Sequence, residues 1–253
     1  MLRPCCCGPG TTPERSKGST WLPSTPTSRR SVHSPEAEVD ADDGPSGHRI
    51  GTVVFDLDGV IRQWNDDDLD DIETAHGLPA RSILDVAFGE QLGPAAVTGR
   101  LTYRQWMDEI REVILARFGE GATGALDAWE ANVGRVDVDM LAVLRRVRAD
   151  TTVALLSNGT TRLRRDLHVL DLLDEFDVVF NTAEIGVAKP DPEVFRIVCD
   201  ELRSDPARTL FIDDLAENVA GARIAGLAAH QHTDRDSTVS VLSAWGVDLD
   251  DLG

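Results

Sequence analysis

Four short polar groups in this chain combine residue types that do chemistry, and each directly follows an apolar run. Asp56-Leu57-Asp58-Gly59 closes the run Gly51-Thr-Val-Val-Phe55. Side chains alternate along a strand, so positions 56 and 58 can point to one side, and two carboxylates so placed suit covalent catalysis coupled to proton transfer. Ser157-Asn158-Gly159 closes Val153-Ala-Leu-Leu156 and precedes a helix near Thr161. A hydroxyl with free backbone N–H groups at a helix start makes an anion site. Lys189 lies in Gly186-Val-Ala-Lys-Pro-Asp-Pro192, just before another helix start, and is the only lysine after Lys17. A fixed cation there can balance anionic charge that develops during a reaction. Asp213-Asp214 closes Thr209-Leu-Phe-Ile212. Together with Asp56, that pair can assemble an oxygen-rich site for Mg²⁺. Read singly, each group has a plain structural alternative: a strand-end turn, an ordinary helix cap, a surface lysine, an acidic helix start.

The elements that must bring these groups together are legible as alternating strands and helices. The apolar runs ending at Phe55, Leu156, Phe180 and Ile212, with a weaker one at Ala228-Ala-His-Gln-His232, read as strands. Apolar stripes through Met140, Leu141, Val143, Leu144 and Val147, and through Val194, Ile197, Val198 and Leu202, read as helices between them. Asp191 followed by Pro192 marks the start of the second helix. The expected fold class is therefore α/β, a Rossmann-like parallel sheet with helices on both faces. The carboxyl ends of parallel strands share one edge, so groups more than 150 positions apart can converge there.

Residues 64–136 interrupt this alternation and lack strand patterns. Ile83, Leu84 and Phe88 suggest one helix, and Trp106, Ile110, Val113 and Ile114 another, with Thr102-x-x-Gln105 as its capping box. A small helical cap domain is expected over 64–136, with the α/β core at 49–63 and 137–253. The acidic run Asp66, Asp67, Asp68, Asp70 and Asp71 reads as a solvated helix start. Residues 1–48 are rich in Pro, Ser, Thr and Gly and read as a disordered tail.

Composition narrows the partners. Asp and Glu number 44 against 25 Lys and Arg, a formal charge of −19, which argues against free nucleic acid and anionic membrane surfaces. The four cysteines, Cys5, Cys6, Cys7 and Cys199, form no disulfide framework, and no apolar run approaches a membrane span; the expected setting is the cytoplasm. His230 and His232 have no third ligand nearby in the pattern and read as structural.

In this order, Asp56-x-Asp58-Gly59, Ser157 after a strand, Lys189-Pro190 and Asp213-Asp214 resemble the haloacid dehalogenase superfamily over nearly all of residues 50–236. The insert's position is similar to the subgroup with a helical cap between the first and second motifs, in its phosphatase branch. The resemblance implies that Asp56 attacks phosphorus and forms an aspartyl-phosphate. It implies that Asp58 protonates the leaving oxygen, then deprotonates water, and lends its backbone carbonyl to Mg²⁺. Ser157, Asn158, Gly159 and Lys189 would hold phosphate. Asp214 would bind the metal directly, with Asp213 assisting directly or through water. Mg²⁺ and Lys189 together would keep Asp56 ionised, below the free value of about 3.9. The expected activity is hydrolysis of a small phosphorylated metabolite, with sugar phosphates, phosphoglycolate and nucleoside monophosphates all open as substrates. A haloacid dehalogenase or a phosphomutase on the same fold is the alternative, and a non-catalytic binding protein a further one.

Overall fold

The computed structural model describes residues 50–249. The tail expected over 1–48 and the Cys5–Cys7 triplet lie outside them, as do the side chains of Asp66, Asp67 and Asp68. The strands are β1 (Thr52–Phe55), β2 (Arg62–Gln63), β3 (Arg135–Val136), β4 (Thr152–Ser157), β5 (Val178–Asn181), β6 (Thr209–Asp213) and β7 (Ala228–Gln231). The helices are α1 (Asp66–Ala75), α2 (Ser82–Ala87), α3 (Leu92–Val97), α4 (Tyr103–Phe118), α5 (Thr123–Ala131), α6 (Val138–Arg148), α7 (Leu163–Val169), α8 (Thr182–Ile185), α9 (Pro192–Leu202), α10 (Ala216–Ile224) and α11 (Arg235–Ala244).

Five strands form one parallel sheet in the order β5-β4-β1-β6-β7. Strand β1 is central, and all four of its residues are buried. Its side chains alternate between two apolar layers, as the two-residue period of a strand requires. Val53 and Phe55 pack on one side with Met140, Val143 and Leu144 of α6 and with Val241 and Leu242 of α11. Val54 packs on the other with Val194, Phe195 and Val198 of α9 and with Ala222 of α10. Strands β4 and β6 alternate the same way, and Phe195 meets Phe211 edge-on at 5.0 Å between ring centroids. Burial on both faces explains why these strands read as unbroken apolar runs.

The insert has its own apolar cluster, centred on Ile83, Trp106, Ile110, Ile114 and Leu126. Its longest helix, α4, begins with the expected capping box, Thr102 and Gln105 each bonding the other's backbone N–H. Its ends are joined by the antiparallel pair β2–β3, with Arg62 opposite Val136 and Gln63 opposite Arg135. This pair escaped the sequence reading because two residues are too few to show a period. Asp191 caps α9 with Pro192 in its first turn, and Cys199 is a buried, free core residue. His232 is buried and shares a hydrogen bond with Thr238, which fits a structural histidine.

Truncating a side chain inside the second layer should cost far more than truncating one outside it. Phe195→Ala should lower the unfolding free energy by about 3–5 kcal/mol, and Ile224→Ala by no more than about 0.5 kcal/mol, since Phe195 is fully buried and Ile224 is 71% exposed. Urea denaturation of both variants checks this, and similar losses would contradict the packing described.

Candidate active site

The shared strand edge gathers the four polar groups. Asp56 follows β1, its N–H held by the Ile212 carbonyl at 2.8 Å. Ser157 ends β4 and is buried, and Asp213 ends β6 and is fully buried. Lys189 enters from the loop between α8 and α9. Its ammonium lies 2.8 Å from Asp56 Oδ1 and 2.7 Å from Asp213 Oδ2. The lysine is buried, so its ammonium lies out of water between two buried carboxyl groups. Burial alone would lower the Lys189 pKa, but Asp56 and Asp213 together raise it above its ordinary value.

Several groups fix that geometry. Asn218 of α10 donates to both Asp213 oxygens, at 3.0 and 3.1 Å, and the Leu215 N–H donates to Oδ1 at 2.9 Å. Asn158 exchanges two bonds with the Lys189 backbone: its amide donates to the carbonyl at 3.0 Å, and its oxygen accepts from the N–H at 2.9 Å. The Asn158 side chain is thus occupied in holding the lysine, which leaves the backbone of Asn158-Gly159 as what this loop can offer an anion. Asn181, at the end of β5, donates to the Thr160 carbonyl at 2.9 Å and steadies the same loop. Gly221 lets α10 approach the lysine loop closely: a Cβ there would lie 2.1 Å from the Pro190 carbonyl oxygen.

Asp56, Asp213 and Asp214 each offer a carboxylate oxygen within 4.8 Å of the others. Oxygen-only donors of this kind fit a hard divalent cation. Burial pushes the Asp56 carboxyl well above the usual carboxylate range; Lys189 pulls it down, while Asp213 and Asp58 push it up. Lys189 by itself therefore does not hold Asp56 below its free value; the expectation adds a bound Mg²⁺ to that cation. Burial, then the Asp213 charge, also raises Asp214, to about 6. Gly59 permits the approach of Asp214, since a Cβ at this positive-φ position would meet Asp214 Oδ2 at 2.4 Å.

Asp58 has partners that the sequence reading missed. Arg62 donates to both its oxygens, at 2.6 and 2.9 Å, and Trp64 donates to Oδ1 at 2.6 Å. The Arg62 guanidinium also lies over the Trp64 ring, 4.7 Å from its centroid. Asp58-x-x-x-Arg62 was a detectable spacing, but a turn rather than a helix brings the two together. Asp58 and Asn158-Gly159-Thr160 face a cavity of about 390 Å³ whose remaining wall comes mostly from the insert, including Phe88, Trp106 and Trp129. Arg162 ties insert to core by donating to the Tyr103 hydroxyl and, at 2.9 Å, to the Glu130 carbonyl. The acidic run at the start of α1 leaves Asp70 and Asp71 exposed, as a solvated helix start should.

Residues 50–226 match the haloacid dehalogenase-like hydrolase family model. The chain is 30% identical over 217 residues to phosphatase MT3486 of Mycobacterium tuberculosis, covering 81% of this chain and 99% of that one. A HAD family enzyme of Bacteroides thetaiotaomicron, solved with magnesium and inorganic phosphate, superposes with a TM-score of 0.60 at 23% identity, covering 72% of this chain and 93% of that one. The L-2-haloacid dehalogenase of Xanthobacter autotrophicus superposes with a TM-score of 0.54, also at 23% identity, covering 79% and 85%. At these identities the two structures speak for the fold.

Removing the cation from between its carboxylates should be costly, and the cost should depend on pH. Lys189→Met leaves Asp56 and Asp213 buried without their partner, an expected loss of about 3–5 kcal/mol near neutral pH. In the variant the Asp56 carboxyl, raised by burial, loses the cation that lowers it, so the folded state binds more protons than the unfolded chain and stability falls as pH rises from about 4. Urea denaturation near pH 5 and pH 7 should therefore give the smaller loss at the lower pH. An equal loss at both would mean that lost packing, not charge, is the cause.

Proposed function

The chain belongs to the haloacid dehalogenase-like hydrolase family, and from that premise we propose that it is a Mg²⁺-dependent phosphatase acting on a small phosphorylated metabolite. The observation that carries this reading is the second carboxylate, Asp58, at the polar end of the cavity and two residues after Asp56. A halide leaves as a stable anion and needs no proton. An alkoxide leaving phosphorus does need one, and Asp58 is placed to give it. The similarity to a phosphatase along nearly its full length supports the same choice over a dehalogenase.

In this mechanism an Asp56 oxygen attacks phosphorus and the ester P–O bond breaks. Asp58 hands its proton to the departing oxygen. The same carboxylate then takes a proton from water, whose oxygen attacks phosphorus, frees inorganic phosphate and restores Asp56. Both Asp58 oxygens accept hydrogen bonds from Arg62, so proton delivery requires at least one of them to leave its donor. Lys189 balances the charge that moves onto Asp56 and the phosphoryl oxygens. Ser157 and the backbone of Asn158-Gly159 hold the phosphoryl group. Mg²⁺, when bound by Asp56, Asp214 and the Asp58 backbone carbonyl, would supply Lewis-acid stabilisation of phosphoryl charge. Asp213, whose oxygens already accept from Lys189, Asn218 and Leu215, chiefly positions the lysine. The helical insert over residues 64–136 acts as a cap that excludes water and selects the substrate.

Three measurements test the reading. A chelator should stop phosphate release from a panel of phosphate monoesters, and added Mg²⁺ should restore it. Asp56→Asn should cut turnover by roughly 10³-fold or more. Mg²⁺ should also raise the thermal midpoint of the wild type, and raise it less in Asp214→Asn. Full activity in the chelated protein would overturn the metal's role. Rapid halide release from 2-haloacids without phosphatase activity would favour the dehalogenase.

A further inference from the structure

The wall of the cavity beyond Asp58 is aromatic and aliphatic. Trp106, buried but part of the lining, contacts Phe88, Tyr103 and Trp129 at ring-centroid distances of 5.5, 5.9 and 5.6 Å. Leu69 and Leu84 extend the same surface. Two aromatic residues at the lining are left open to solvent, Trp64 at 44% and Phe88 at 37% exposure.

Many polar atoms of the lining are committed within the protein, the exceptions including Arg62 Nη1 and the Glu130 carboxylate, which lies 3.9 Å from Arg111. Trp106 Nε1 donates to the Ala87 carbonyl at 2.9 Å, and Trp64 Nε1 to Asp58. The Tyr103 hydroxyl accepts from Arg162, and Asp166 accepts from the same guanidinium at 2.7 Å. Both ends of the Asn158 amide are held by Lys189, and Asn132 Oδ1 accepts from the Gly134 N–H at 2.9 Å. A sugar or nucleoside brings several hydroxyls that must each be matched on desolvation. Each one left unmatched costs about tenfold in affinity or more. A hydrocarbon body needs only apolar contact, which this wall supplies.

We propose that the substrate is the phosphate monoester of an apolar, ring-bearing or branched alcohol. Its hydrocarbon body lies against Trp106 and between Phe88 and Trp129, and its ester oxygen lies at Asp58. This deepens the phosphatase reading and rests on it. The cap thus selects for a greasy leaving group and against polyols.

A matched pair of substrates tests this with the full chain and Mg²⁺. Cyclohexylmethyl phosphate and glucose 6-phosphate both carry the ester on a CH₂ attached to a six-membered ring. They differ chiefly in the polarity of that ring. The expected kcat/KM is at least 100-fold higher for cyclohexylmethyl phosphate, with most of the difference in KM. Equal or greater efficiency with glucose 6-phosphate would overturn the inference while leaving the phosphatase reading intact. Acetyl phosphate, whose leaving group is small, serves as the control: failure to hydrolyse any of the three would overturn the phosphatase reading and this inference with it. Phe88→Gln, at a partly exposed position, should reduce the cyclohexylmethyl-to-glucose preference at least fivefold. An unchanged preference in the folded variant would contradict the proposed seat of the hydrocarbon.

Discussion

A single ammonium, Lys189 Nζ, lies 2.8 Å from Asp56 and 2.7 Å from Asp213 in a place where water does not reach it. Three carboxylates crowd this corner of the sheet, and without a cation their mutual repulsion and desolvation would oppose burial. Much of the surrounding architecture serves to place that one charge. Asn158 grips the lysine backbone from the β4 loop, Asn218 and Leu215 orient Asp213, and Gly221 allows α10 to close against Pro190. The demand reaches the sheet as well, because the strands must run parallel and in register for β1, β4 and β6 to end together.

The same constraint gives the two aspartates of the first motif different surroundings. Asp56 is enclosed by the sheet edge and the lysine, where burial raises its carboxyl pKa and bound positive charge is needed to oppose that. Asp58 instead accepts from Arg62 and Trp64 and lines the cavity. An enclosed carboxylate beside a second one that lines the cavity is the arrangement on which the proposed two-step phosphoryl transfer rests. The helical insert adds to the division, since the cavity it walls is lined on the core side by Asp58 and Asn158-Gly159-Thr160 and not by Asp56, Asp213 or Asp214.

Much of this was legible in the sequence, for physical reasons. A strand buried on both faces must be a continuous apolar run, and the residue after it must lie at the strand's carboxyl edge, so Asp56, Ser157 and Asp213 could be assigned to one rim. Pro192 after Asp191 and Thr102 with Gln105 are local signals that tertiary packing did not override. The Asn158–Lys189 exchange was not legible, because it joins backbone to side chain across 31 positions. Asn218 could be read equally as a brace or as solvent-facing, and only the fold shows it bonded to Asp213. Arg62 and Trp64 were hidden by a tight turn in which Arg62 and Ile61 both donate to the Leu57 carbonyl, a conformation no apolar period announces. The aromatic wall was only partly legible: Trp64 or Trp106 could be read as lining a pocket, but Trp106 fits the insert's own core and lines the cavity at once, so its spacing favours packing.

The proposed function requires that Asp56 be the nucleophile in a covalent step and Asp58 the proton carrier. Rapid-quench labelling with acetyl phosphate, followed by mass spectrometry of the peptide spanning Thr52 to Arg62, tests it most directly. The account predicts a phosphoryl group on Asp56, transient in the wild type, persistent in Asp58→Asn because no base activates water, and absent in Asp56→Asn. A phosphoryl group on any other residue, or equal turnover in Asp56→Asn, would contradict it.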